Sequence, residues 1–336
     1  MPGCGFHGLY SVDFSDENLT AKKLDLPSIE PSDNSCVRSL SSCDGLVLVS
    51  DAGNSNFLFN PFTGEHKELP KSPFFLDGSS LYESYYFLPG LGYDSCSRDH
   101  KVVLLPYYRI KSEFELDDGD WTAVTDAAVY SLRTDAWRRI QDTHYHVMGG
   151  LPGVHFNERL HWICWRLGLE DSSEDSKVLV AFDLADEVIR EVQSPASSDD
   201  YEILHHRVAV LGGCLCLVVW PSAERIDVWM MTKYGVSESW TKRSIANPMM
   251  LIADVLCLSA EDELVMYKMR IVNDFNGVGM EEEFENGEEL QQEFEKLVVY
   301  NTKKETMTDV VVRGIIPARY TIGDNYIETL VSPNLG

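Results

Sequence analysis

No apolar run in this 336-residue sequence approaches the ~18 residues that a membrane-crossing helix needs. The N-terminus, MPGCGFHGLYSVDF, lacks the basic region and apolar core of a secretory signal, and residue 2 is not the glycine that myristoylation requires. Basic side chains are scarce: 28 Lys and Arg stand against 54 Asp and Glu, a net charge of −26. Such a chain repels phosphate backbones and anionic headgroups, which argues against nucleic acid and membranes and for a protein partner with a basic surface. The eight cysteines follow no framework spacing, which suits reduced thiols in the cytoplasm or nucleus. Cys214 and Cys216, two apart on an expected strand, share one face, but no second pair completes a metal site, so they read as buried thiols. Helical periodicity is also rare. Its best instance, GEELQQEFEKL, places Leu290, Phe294 and Leu297 at i, i+4 and i+7, yet lies within an acidic stretch.

Catalytic signatures are missing as well. There is no H-E-x-x-H, Walker loop or G-x-S-x-G, and the G-x-G at Gly277 and Gly279 lacks a third glycine. His144, His146, His155 and His161 lie close in sequence, but no further ligand spacing supports a metal, and His161 reads as a structural histidine. With 54 acids, apparent carboxylate pairs prove nothing about hydrolysis. No catalytic residue, cofactor or metal is assigned, and the chain is not expected to be an enzyme; a propeller hydrolase is the weaker alternative.

What the chain has is a repeat. Alternating apolar residues lead to a polar anchor, then a polar turn, then a second short run. Asp13, Asn60, Ser131, Asp183 and Asn301 are such anchors, and Met231 stands near that position in IDVWMMTKYGVSESW. The gaps between them are 47, 71, 52, 48 and 70 residues, and the two long ones contain acid-rich insertions at 111–120 and 274–295. A period of ~40–50 residues with several strands per unit is the signature of a β-propeller blade. The runs CLCLVVW, VLVAF and KLVVY are continuously apolar, so their sheets need cover on both faces, and with few helices to supply it neighbouring blades must do so. The expectation is an all-β chain: a single toroidal domain over 1–336, a β-propeller of about six blades, closed by pairing the C-terminal YIETLVSP segment with N-terminal blade material. In VWMMTKYGVSESW, two strands join near Gly235, and Trp229 and Trp240 are expected to wedge between blades.

KYGVSESWTK resembles the signature of the F-box associated region of plant F-box/kelch-repeat proteins, and other segments match the same family in order. SSCDGLVLV is similar to its Ser-Cys-Asn-Gly-Leu strand pair, with Asp44 for the usual asparagine. LGYDSCSRDHKVV is similar to its Gly-Tyr-Asp-Ser…Tyr-Lys-Val-Val, with His100 where tyrosine is common. NPFTGEHKELP and VHFNERLHWICW follow its other motifs, the latter with Glu158 for glycine, and the matches run from Leu9 to Pro333. The resemblance implies a kelch-like propeller that selects clients for an SCF-type ubiquitin ligase. An F-box helix set is not seen in this sequence, so a Skp-type adaptor and cullin are expected only if an F-box is supplied upstream. A stand-alone binding propeller without ligase docking is the first alternative.

Recognition residues usually sit in connections between strands. The candidates for client contact are therefore the aromatic residues Tyr85, Tyr86, Tyr107 and Tyr108, with Phe87, and the insertion acids Asp117, Asp118, Glu281, Glu282 and Glu283. The insertions read first as solvated loops and second as electrostatic guides for a basic client.

Overall fold

Strands that are apolar on both sides need two covers, and here each sheet is covered by the next. The computed structural model describes residues 9–13, 19–25, 37–51, 55–74, 86–107, 126–140, 143–147, 151–166, 177–195, 205–222, 225–246, 252–258, 264–269, 296–301, 303–310, 312–313 and 329–334. A hairpin of β1 (Leu9–Val12) and β2 (Ala21–Leu24) comes first. Blade 1 contains β3 (Val37–Cys43), β4 (Leu46–Asp51), β5 (Asn56–Phe59) and β6 (His66–Glu68). Blade 2 contains β7 (Tyr86–Asp94), β8 (Asp99–Tyr107), β9 (Ala127–Ser131) and β10 (Ala136–Ile140). The short β11 (Tyr145–Val147) then links it to blade 3: β12 (Val154–Phe156), β13 (Arg159–Arg166), β14 (Lys177–Asp183) and β15 (Ile189–Val192). Blade 4 is β16 (His205–Leu211), β17 (Cys214–Ser222), β18 (Arg225–Met231) and β19 (Trp240–Ala246). Blade 5 is β20 (Ile252–Leu258), β21 (Leu264–Met269), β22 (Lys296–Asn301) and β23 (Thr306–Val310). Every blade is an antiparallel meander, so the expected β-propeller is the fold observed.

Strand alternation divides each blade between two cores. Leu46 and Leu48 face blade 2, while Val47 and Val49 face the β1–β2 hairpin with Leu9 and Leu24. Leu160, Trp162 and Cys164 pack on blade 2, whereas Ile163 packs on blade 4. Leu215, Leu217 and Val219 meet blade 3, and Cys216, Val218 and Trp220 meet blade 5. Cys214 and Cys216 do share a face, packed between blades 4 and 5. Trp229 and Trp240 lie between blades 3 and 4 as expected, and the Trp240 indole donates to the Gln193 carbonyl at 2.8 Å.

The anchors cap the turn between the third and fourth strands. Asn60 Oδ1 accepts from the backbone N–H groups of Phe62 and Thr63, Asp183 Oδ1 from those of Ala185 and Asp186, and Asn301 Oδ1 from those of Lys303 and Lys304. A side-chain oxygen that mimics a backbone acceptor makes such turns form locally. In blade 4 the Met231 sulfur takes that place and accepts from the Gly235 N–H at 3.1 Å, with Gly235 at φ +76°.

The ring is tied at its axis and at its seam. Ser41 Oγ donates to the Gly153 carbonyl and accepts from the Leu91 N–H, so one hydroxyl joins blades 1, 2 and 3. Gly90 and Gly153 form a parallel bridge beneath the Trp162 indole, where a Cβ added at either position would come within 2.8 or 2.3 Å of the ring. At the seam, Thr20 pairs in parallel with Arg313, and backbone bonds run both ways around it. The β1–β2 hairpin thus sits between blade 5 and blade 1. The C-terminal closure differs from the expected strand pairing: among described residues, 329–334 form no strand. Instead Asn60 Nδ2 donates to the carbonyls of Thr329 and Val331, and Thr329 Oγ1 donates to the Asp44 carbonyl. An anchor side chain, already oriented by its own turn, does there what a ladder was expected to do.

Candidate protein-binding face

A four-stranded meander reverses direction at each turn, so its connections alternate between two ends of the blade. The first-to-second and third-to-fourth turns lie at one end, and all are short. Asp44–Gly45, Asn157–Glu158 and Gly212–Gly213 each hold two residues at positive φ, the geometry of tight hairpin turns. Second-to-third connections and those between blades leave from the other end. The inner strands run alike around the axis, as the parallel Gly90–Gly153 bridge shows, so these ends collect on common faces of the ring.

Both acidic insertions are second-to-third connections, joining β8 to β9 and β21 to β22. The strand ends that bound these insertions, Tyr107 with Ala127 and Met269 with Lys296, lie at the same end of their blades; residues 111–120 and 274–295 themselves lie outside the described residues. The β13–β14 connection and the blade 3–4 connection leave from that same end of blade 3, and the sequence puts Glu170, Asp171, Glu174 and Asp175 in the first and Asp199, Asp200 and Glu202 in the second, outside the described residues. Sequence reasoning missed these last two because they fall inside regular anchor gaps; charge counted by strand order would have found them.

Of the candidate contact residues, Tyr86 and Tyr107 are cross-strand partners where β7 starts and β8 ends, and Tyr107 also meets Val147 of β11. Phe87 follows in β7 opposite Pro106. Their backbones are thus paired at the blade end from which the first acidic connection leaves. Tyr85, Tyr108, Asp117, Asp118, Glu281, Glu282 and Glu283 lie outside the described residues. The framework beneath is fixed: Arg166 binds Glu191 through both carboxylate oxygens, and the Tyr145 hydroxyl donates to the same carboxylate at 3.0 Å. Lys177 Nζ lies 5.3 Å from the Trp165 ring centre. A cavity of about 100 Å³ opens between the inner strands, lined by Ser41, His155, His161, Trp162, His206 and Arg207 among others. It is smaller than the ~300–1,000 Å³ of ordinary small-molecule sites.

The opposite, short-turn side carries the buried polar groups. His161 Nδ1 donates to the Val154 carbonyl at 3.3 Å and Nε2 accepts from the Tyr234 hydroxyl at 2.8 Å; burial holds its pKa down to about 4. It is the structural histidine expected. Lys101 Nζ joins Asp94, Glu187 and the Leu184 carbonyl, at 2.9, 3.0 and 2.6 Å, across blades 2 and 3. Burial alone would raise the Asp94 carboxyl, but the Ser97 and Lys101 bonds hold it below the usual range. Cys43 Sγ lies 3.3 Å from His155 Nδ1, and Asp44 Oδ2 lies 3.7 Å from His100 Nε2. Burial lowers both imidazoles; burial, then the Asp44 charge, pushes the Cys43 thiol up. These four residues come from three blades and share no sequence spacing, so no motif announces them.

Residues 7–312 match the F-box associated beta propeller domain family. The F-box protein CPR1 of Arabidopsis thaliana is 33% identical over 213 residues, covering 60% of this chain and 50% of that protein. The F-box protein At3g07870 of the same plant is 26% identical over 304 residues, covering 79% of this chain and 70% of its own length. This chain thus spans about half the length of the first relative. Among solved structures, a chain of the mitotic checkpoint complex is similar over 90% of this chain and 92% of that one, at 11% identity and a TM-score of 0.41, too distant to add to the argument. The blades, the capped turns and the family match agree, and the chain belongs to the F-box associated β-propeller family.

Proposed function

We propose that this propeller selects a basic protein client for an SCF-type ubiquitin ligase, with the long-connection face as its binding surface. The observation that carries the reading is topological: the acid-rich connections of blades 2, 3 and 5 all join strand ends at the same end of their blades. Converging like charge focuses a field that draws cationic surfaces and speeds their encounter. Tyr86 and Tyr107, paired at that end, suit anchoring at an interface. F-box protein relatives support the ligase context; a Skp-type adaptor and cullin join through an F-box supplied upstream. The small axial cavity favours surface recognition over turnover of a metabolite. The unpaired cysteine pattern supports action in the cytoplasm or nucleus.

Affinity capture from source tissue tests this, using an F-box-fused chain and a variant with Asp117, Asp118, Glu281, Glu282 and Glu283 changed to their amides. The wild type should recover a basic protein with the adaptor and cullin, and the variant should keep the ligase subunits but lose the client, as should capture at raised salt. Equal client recovery by the variant overturns the face assignment. Endogenous protein recovered with clients but without adaptor or cullin overturns the ligase assignment and leaves a stand-alone binder.

A further inference from the structure

We propose that Cys43, Asp44, His100 and His155 form a zinc site that fastens the short-turn ends of blades 1, 2 and 3. Cys43 ends β3, Asp44 follows in the tight turn at φ +49°, His100 is the second residue of β8, and His155 is the middle residue of β12. The Cys43 sulfur, an Asp44 carboxylate oxygen and a His100 ring nitrogen all lie within 4.8 Å of one another. His155 Nδ1 reaches the same sulfur at 3.3 Å. Around a tetrahedral zinc with bonds of ~2.0–2.3 Å, N and O ligands stand ~3.3 Å apart and S and N ligands ~3.6 Å. The 3.7 Å from His100 to Asp44 and the 3.3 Å from Cys43 to His155 are close to those separations.

The groups are also chemically arranged for a cation. His100 is 9% exposed, and its Nε2 is sealed from solvent with no hydrogen-bond partner; 3.7 Å to Asp44 is too long for one. A buried nitrogen left in that state is costly, and a metal bond would satisfy it. The Cys43 thiol has no cation beside it and faces a carboxylate. Zinc would displace its proton, and one thiolate, one carboxylate and two neutral imidazoles would balance the double charge. A donor set of S, O and N, with His155 Nδ1 reaching the sulfur to supply the fourth ligand, suits zinc, not magnesium or calcium, which take oxygen ligands. Two of the four are also the positions where this sequence departs from the resembled motifs: aspartate replaces asparagine at 44 and histidine replaces tyrosine at 100. Each departure turns a neighbour of the same thiol into a ligand.

The test uses untagged full-length protein, stripped with chelator under reducing conditions and then titrated with Zn²⁺ or Co²⁺. One metal per chain should survive desalting, and Co²⁺ should give a thiolate charge-transfer band with the intense visible bands of tetrahedral coordination. Asp44→Asn keeps the positive-φ turn and His100→Tyr keeps a ring in place, so both should fold by circular dichroism while losing at least tenfold in zinc affinity. Cys43→Ser should remove the charge-transfer band. Metal-free wild type at excess zinc, equal retention by the Asp44→Asn and His100→Tyr variants, or a cobalt spectrum without the thiolate band would each overturn the site.

Discussion

The two ends of this propeller are built on opposite terms. At the short-turn end, reversals take a few residues, positive φ is frequent, and side chains close on one another: Lys101 with two acids, Cys43 with His155, Asn60 with the C-terminal segment. At the other end, the β8–β9, β13–β14 and β21–β22 connections are long and acidic with little basic charge to balance them, although β4–β5 and β17–β18 are joined by only four and two residues. Buried polar contacts thus gather at one end among the described residues, while the sequence assigns its unbalanced acids to connections that leave from the other. The same separation lets a family keep its scaffold while changing what it binds.

The comparison can be tested by substitution and pH. Trp162→Ala should have the largest effect, about 4 kcal/mol by urea unfolding, because its indole is 1% exposed and fills the space over Gly90 and Gly153. Lys101→Met should cost about 3 kcal/mol, since it removes the cation that joins Asp94, Glu187 and the Leu184 carbonyl across blades 2 and 3, leaving Asp94 without its ion pair and Glu187 with Arg138 alone. Acid titration should act through His161. Its folded pKa of about 4 lies below the unfolded ~6.5, so the unfolded chain takes the proton first. Stability is therefore full above pH ~6.5, is lost as pH falls, and levels off near 4 after a loss of about 3 kcal/mol. Equilibrium unfolding across pH 4–7 reads the slope.

Glu158→Gly should run the other way, gaining about 1 kcal/mol in the same unfolding assay, because residue 158 sits at φ +58° where glycine has no Cβ penalty. Smallest of all should be Glu281, Glu282 and Glu283 changed together to glutamine, within about 0.5 kcal/mol of wild type. If that triple variant instead costs as much as Lys101→Met, the division between a load of buried contacts at one end and free charge at the other is wrong.

Much of this was legible from residues alone. The anchors Asn60, Asp183 and Asn301 revealed the blade period because each must supply an oxygen to its own turn, a local demand that leaves a regular mark. Trp229 and Trp240 were readable as interblade wedges because apolar runs on both sides of a strand require two covers. The Cys43 cluster was not readable, because its members meet only when blades 1, 2 and 3 are placed side by side. The acidic convergence was half legible: the insertions interrupt the period and stand out, while residues 170–175 and 199–202 do not interrupt it. The C-terminal closure was misjudged for a similar reason, since the Asn60 amide bonds to residues 329 and 331 leave no pattern of their own.

The seam at Thr20 and Arg313 also sets a timetable for synthesis. The β1–β2 hairpin emerges from the ribosome before any of the five blades, but its partner residue is made nearly three hundred residues later. At ~5–20 residues per second that is roughly a quarter of a minute to a minute. Throughout it, Leu9 and Leu24 can rest only on blade 1, and the edge of β2 has no neighbour. A nascent chain of this kind needs shelter until its last blade is translated, and its yield in a foreign host should follow chaperone supply more closely than the stability of the finished ring.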